Sequence, residues 1–310
     1  MGVLRDSGLL LRIEDVAALC RDALDQDFAD RPAALCRPPE DWFRLLHGLG
    51  FPRHPAERAE LQALAAAVEG WRPHGGFERY ALVQAMLAAL PRLPGLPVDT
   101  AVKEFFCTLY ARFARPEAKF AARYDIDGPR YTEMAELATL RHFPAGQHDW
   151  WVDGLPRSWL LRVHPLALPG LLGMLRRIGG FGPLARLHIN HWRPNQLMML
   201  EGEAERSYHR IARSLALQPE IRGLMGTSWF YAPDVRQASP HLAWMRDFFA
   251  GRGAFLGEME RASAARGFLT GSAKRREMFE AGRFHPRTTL VLWARDDLLA
   301  WADSRKDLAE

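Results

Sequence analysis

Apolar residues in the first third of the chain recur every three or four positions, the spacing of one buried helix face. Ile13 to Leu24 carries Ile13, Val16, Ala17, Cys20 and Leu24 in that period. A second helix is expected from Pro39, where Glu40 and Asp41 in the first turn complement the helix dipole, with a stop at Gly48 or Gly50. Pro55 opens a third helix through Leu61, Leu64, Ala65 and Val68 to Gly70, and a fourth runs from about Phe77 to Leu90. The segment from Pro91 to Pro97 is a stiff Pro/Gly connector, and a fifth helix runs from about Asp99 to Arg115, ahead of Pro116.

Beyond about residue 130 the texture changes. Leu137–Phe143 and His148–Val152 are short β-prone runs around the turn Pro144–Gln147, which predicts a hairpin. A helix from about Pro165 to Ile178 is closed by Gly179 and Gly180. Strands are then expected at Leu184–Trp192, Ile221–Tyr231, Ala254–Glu258 and Thr288–Trp293. Helices are expected at Gln196–Leu217, from Ser239-Pro240 with Ser239 as cap, at Ser272–Ala281 and at Asp296–Ala302. Strands alternating with helices predict an α/β (or α+β) fold, a mixed sheet flanked by helices. The expected division is a helical N-terminal region, residues 1–125, and an α/β domain with a mixed sheet, residues 126–310.

With 310 residues and an apolar fraction of 48%, the chain can bury a sizeable core. Net charge is +4, and the basic residues are nearly all arginine, with lysine only at Lys103, Lys119, Lys274 and Lys306. Arginines alternate with acids along most of the chain, apart from runs at Arg176-Arg177 and Lys274-Arg275-Arg276. The concentrated stripe of a nucleic-acid binder is therefore not expected. Cys20, Cys36 and Cys107 are odd in number and fit no zinc spacing, so they read as small core residues rather than disulfides or ligands. No run is long or apolar enough for a signal peptide or a membrane span, and the expected location is the cytoplasm.

The polar positions of the expected strands carry the candidate chemistry. In Leu187–Trp192, His188, Asn190 and Trp192 point to one face and Leu187, Ile189 and His191 to the other. A half-buried imidazole at His188 is a candidate general base, with Asn190 beside it for substrate; a buried histidine satisfied by backbone is the plainer account. The strand through Gly226 ends in Thr227-Ser228-Trp229-Phe230-Tyr231, and strand ends that lead into helices are where α/β sheets bind ligands. Tyr231 is a candidate acid. Ser228 and Trp229 are candidate substrate contacts, and Ser239 opens a helix whose free N–H groups suit an anion. Packing alone accounts for Trp229 and Phe230 at least as well. Glu201, Glu205 and His209 share one helix face but lack the paired Glu-x-x-His pattern of carboxylate bundles. His142, His148, Asp149 and Asp153 contain the donor types of a two-histidine, one-carboxylate iron site, without its spacing. Dinucleotide, P-loop, nucleophile-elbow and His-Glu-x-x-His motifs are absent.

The order Ile221–Tyr231, Ser239–Phe249, Ala254–Glu258, then Ser272 to Phe284 resembles the GNAT N-acyltransferase family over roughly residues 184 to 295. Two features depart from that family. Its Gln/Arg-x-x-Gly-x-Gly/Ala loop is absent between Asp234 and Ser239, and Phe279 stands where a tyrosine often occurs. The resemblance implies an acyl group moved from acyl-CoA, or from an acyl carrier protein, to a small-molecule amine, with His188 as base and Tyr231 as acid. It implies no permanently bound cofactor or metal. Two other classes stay open. One is a metal-dependent, non-haem iron oxidoreductase. The other is a non-catalytic binding module, for which the apolar Leu166–Leu175 helix backed by Arg176-Arg177 suits peripheral contact with a membrane.

Overall fold

In the computed structural model the described residues are 2–50, 54–71, 75–115, 126, 128–189, 200–259, 272–285 and 287–308. The chain divides into two compact units, Met1–Pro144 and Ala145–Glu310.

The first unit holds α1 (Gly2–Gln26), α2 (Pro39–His47), α3 (Pro55–Ala67), α4 (Gly76–Ala89), α5 (Thr100–Ala114), α6 (Pro129–Ala138) and a short strand, β1 (His142–Pro144). α4 is buried along most of its length and packs against α1, α2, α5 and α6. Its Tyr80 ring meets Phe28 and Trp42 edge-on, each at 5.3 Å between centroids. The Tyr80 hydroxyl donates to the Leu35 carbonyl at 2.9 Å and accepts from Gln84 at 2.9 Å, so the polar end of this buried ring is satisfied. Asp99 caps α5 by accepting the Ala101 N–H at 2.9 Å. The strand expected at Leu137–Phe143 is largely replaced by the end of α6. There Leu140 takes a left-handed conformation (φ 59°) and the Arg141 N–H returns to the Glu136 carbonyl at 2.8 Å. That terminator is usually a glycine, which is why a leucine there gave no sign of it.

The second unit holds β2 (His148–Gly154), α7 (Leu168–Arg177), β3 (Pro183–Ile189), α8 (Glu201–Ala216), β4 (Gly223–Ser228), α9 (Val235–Ala238), α10 (Ala243–Ala250), β5 (Phe255–Glu258), α11 (Ala273–Glu280), β6 (Thr289–Ala294) and α12 (Arg295–Ser304). Its strands lie in the order β2-β3-β4-β6-β5. All neighbours are antiparallel except β3 and β4, which are parallel. This is the mixed sheet flanked by helices that the alternation predicts. α7 ends on Gly179 and Gly180 at φ 73° and 102°, with the Gly180 N–H bonded to the Leu175 carbonyl, the glycine terminator expected there.

One face of the sheet, carrying Leu184, Met225, Leu290 and Leu292, packs on α7 through Leu171, Met174, Leu175 and Ile178, with Trp159 and Val163. The opposite face is aromatic. Phe248 and Phe249 of α10 meet Trp293 of β6 at 5.7 and 5.8 Å, and Trp301 of α12 lies 5.3 Å from Phe248. Trp293 donates its indole N–H to the Arg252 carbonyl at 2.9 Å.

Two readings change, and a third, the helix start at Gln196, falls outside the described residues. The strand expected at Ile221–Tyr231 stops at Ser228, because its hydroxyl accepts the Phe230 N–H at 3.2 Å and turns Trp229–Tyr231 into a 3-10 helix. Ser239 precedes a 3-10 turn beginning at Pro240, but its side chain makes no capping bond; its hydroxyl accepts from Arg275 instead, at 3.2 Å. The helix expected from Gln196 is described from Glu201. Replacing Trp293 by alanine removes the ring on which α10 and α12 converge. Stability in urea unfolding is expected to fall by about 3–5 kcal/mol.

Candidate functional site

Strand alternation fixes which side chains share a face of the second unit. Asp149 pairs directly with His188 across β2 and β3. Both therefore point to the α7 face, with Trp151, Asp153 and Arg186. His148, Leu187 and Gly226 point to the aromatic face. His188 Nδ1 lies 3.6 Å from Asp149 Oδ1, an ion-pair separation. The carboxylate is buried and the imidazole is 28% exposed. Trp151 stands edge-on to the His188 ring at 5.8 Å. Next along the strands, Arg186 pairs with Asp153 at 2.8 Å and stacks over Trp151 and Trp159. Drawn to hydrogen-bonding distance, a carboxylate at Nδ1 would hold the proton there and leave Nε2 as the basic nitrogen. Asp149 and His188 also offer two ligand atoms of the kind a metal ion takes.

On the opposite face three polar groups line up inside the aromatic core. His148 Nε2 lies 3.3 Å from the Tyr208 hydroxyl, and the Tyr208 and Tyr231 hydroxyls face each other. Burial holds both phenols well above their ordinary range. Burial lowers His148 to about 4, so the ring is neutral at physiological pH. A Cβ built at Gly226 would lie 3.5 Å from both the Leu187 Cβ and the Tyr231 hydroxyl. The phenol thus ends over Gly226, beside β3.

The backbone between these faces is opened in one place. Pairing of β3 with β4 runs from the Arg222 N–H bond to Pro183 through Ala185–Leu224 to Arg186–Met225. Farther along, Leu187–Ile189 keep their partners on β2 and Gly226–Ser228 keep theirs on β6. Among the described residues the ladder between β3 and β4 does not continue. The inner backbone edges of two parallel strands are left facing one another at their carboxyl ends.

The candidates read from sequence distribute unevenly around this opening. His188 and Tyr231 flank it on opposite faces. Ser228 caps the turn that carries Tyr231. Trp229 packs on Phe230 and Phe284 beneath the Arg275 guanidinium, and Ser239 is buried under that same arginine. Asn190 lies outside the described residues. The donor set His142, His148, Asp149 and Asp153 is not assembled as the sequence suggested: alternation sends His148 to the face away from both aspartates. Glu205 bridges Arg252 and Arg305 at 3.5 and 3.1 Å, and His209 is buried against Trp301, which accounts for that helix face without a metal. Sequence reasoning missed Asp149 as the partner of His188, and Tyr208, because only strand register brings them in. A separate cavity of about 510 Å³ lies by the amino ends of β3 and β4, lined by Arg177, Arg222 and Arg295 among others. Its arginines are engaged: Arg222 bonds the Gly179 carbonyl, Arg295 the carbonyls of Gln218 and Ile221, and Arg177 pairs with Asp297.

No protein-family model matches the chain, and no curated protein sequence matches it. It is similar to solved structures of acyltransferases. One is an acyltransferase mutant in complex with octanoyl-CoA, 14% identical over 93% of this chain and 87% of that one, with a TM-score of 0.49. Another is an acyltransferase in complex with decanoyl-CoA, 13% identical over 84% of this chain and 76% of that one, TM-score 0.49. A third is an acyltransferase in complex with decanoyl-CoA and teicoplanin, 13% identical over 76% and 77%, TM-score 0.45. Likeness at this level carries no functional argument.

The buried neutral His148 makes stability depend on pH. Its folded pKa of about 4 lies below the ordinary histidine value of 6.5, so the unfolded chain binds a proton first as pH falls. The contribution is full above 6.5 and is lost progressively down to about 4, a total of about 3 kcal/mol. Urea unfolding at pH 7, 5.5 and 4 is expected to show a shallower acid-side loss in His148→Gln than in the natural chain.

Proposed function

We propose that the chain is an acyltransferase that moves an acyl group from acyl-CoA to a small-molecule amine. The observation that carries this reading is the interrupted parallel pair β3/β4, with His188–Asp149 on one face and the Tyr231 hydroxyl on the other. The arm of an acyl-CoA is an extended chain bearing amides. It can take the place of the missing ladder, bonding to the backbone of His188–Ile189 and Thr227–Ser228, beyond the point where Leu187 still meets Gly226, as an added strand does. A thioester held there is reachable from both faces of the sheet.

In this reading His188 Nε2 removes a proton from the attacking amine while Asp149 stabilises the imidazolium that forms. The amine nitrogen bonds to the thioester carbonyl carbon, and the tetrahedral intermediate collapses with cleavage of the C–S bond. The departing sulfur takes the Tyr231 proton. Tyr208 donates to Tyr231, and His148 Nε2–H donates to Tyr208, so the phenolate left behind is met by a ready hydrogen bond. Backbone N–H groups on the open edges suit the developing oxyanion. An acyl carrier protein would present the same thioester arm and is an alternative donor. A second reading, a metal-dependent oxidoreductase, draws support from Asp149 and His188, which offer ligand atoms of the kind a metal ion takes.

The test is thiol release from octanoyl-CoA across a panel of primary amines, with the acylated product identified by mass. Replacing His188 by alanine is expected to lower turnover by about 10²–10⁴-fold, with an unchanged unfolding midpoint. Tyr231→Phe is expected to lower it as well. Full turnover in His188→Ala would remove the base from the account. No thioester consumption with any amine, together with stoichiometric iron in the purified protein, would favour the oxidoreductase.

A further inference from the structure

We propose that the surface of Arg157–Arg177 docks the protein on an anionic lipid bilayer. Leu161 and Leu166 are 84% and 87% exposed and stand on two short 3-10 turns, Arg157–Leu161 and Pro165–Ala167. Leu172, 51% exposed, projects from the outward side of α7. The inward side of that helix is already spent on the sheet through Leu171, Met174, Leu175 and Ile178. Single exposed leucines are ordinary; three along one 12-residue stretch (161–172) that also carries unbalanced charge are not.

The charge is the second, independent observation. Between Asp153 and Glu201 the sequence contains six arginines and no aspartate or glutamate. Arg177 is neutralised by Asp297 and Arg186 by Asp153. Arg162 is exposed within the leucine stretch, and Arg157 and Arg176 are exposed on either side of it. Val163, between the turns, is pinned by an isolated bridge to Met259, and the His164 N–H donates to the Glu258 carbonyl at 2.7 Å. The turns therefore hold their leucines on a fixed base.

The form of the surface selects the partner. Separate protruding side chains with exposed arginines before, between and after them in the sequence insert into a headgroup layer at little cost and attract anionic lipid, whereas a protein partner needs a matching pocket for each. No helix among the described residues is long and apolar enough to cross a membrane. Attachment by this face alone would be peripheral and reversible.

The experiment is co-sedimentation of the full chain with vesicles of phosphatidylcholine containing about 30% phosphatidylglycerol, against pure phosphatidylcholine. A preference for the anionic vesicles that falls with added salt is expected. The double variant Leu161→Asp/Leu166→Asp is expected to bind about tenfold more weakly, with an unchanged unfolding midpoint. Arg162→Ala/Arg176→Ala is expected to bind more weakly and with less salt dependence. Equal affinity for both vesicles, no binding to either, or anionic binding that neither double variant reduces would overturn the proposal. So would vesicle indifference combined with capture of an acidic protein through the same leucines.

Discussion

The pairing of β3 with β4 is the constraint on which the second unit turns. Two parallel neighbours cannot be joined by a tight turn, so the chain between them must cross a face of the sheet, and α8 is the helix of that crossing. β2 and β6 complete the outer edges of the two strands with antiparallel ladders that run their full described length. The strands are thus held firmly from outside while their shared inner edge closes only as far as Arg186 and Met225.

The two faces of the gap are built from different materials. Toward α8 and α10, Tyr208 and Tyr231 are locked among Phe248, Phe249 and Trp293, and the histidine behind them is held neutral by burial. A hydroxyl placed there is rigid and dry. Toward α7 the strands carry charge instead: Asp149 with His188, then Asp153 with Arg186 beneath two indole rings. The imidazole keeps partial access to solvent. His188 and the Tyr231 hydroxyl thus lie on opposite faces of the sheet.

Much of this architecture was legible in the sequence. Periodicity at Ile13–Leu24 and Phe77–Leu90, Pro and acids at Pro39–Asp41 and glycines at Gly179-Gly180 marked helices that the structure contains. The alternation of strands and helices after residue 180 marked the mixed sheet. Where the reading slipped, a local bond decided. Ser228 ends its strand by accepting Phe230 N–H, and Leu140 ends α6 in a conformation usually left to glycine. His188 and Tyr231 stood out as polar groups in apolar strands. Their separation onto two faces, and the partners Asp149 and Tyr208, depend on a register 39 residues apart for Asp149↔His188, which local pattern does not encode.

The central claim is that the open edge between β3 and β4 receives the thioester arm. Hydrogen–deuterium exchange of the full chain with and without a non-hydrolysable acyl-CoA analogue addresses it directly. The account predicts slowed exchange of amides in both His188–Ile189 and Thr227–Ser228, abolished when Gly226→Val crowds Leu187 and the Tyr231 hydroxyl, which a Cβ there would already touch. Exchange unchanged in those two segments while the analogue is bound elsewhere would contradict it.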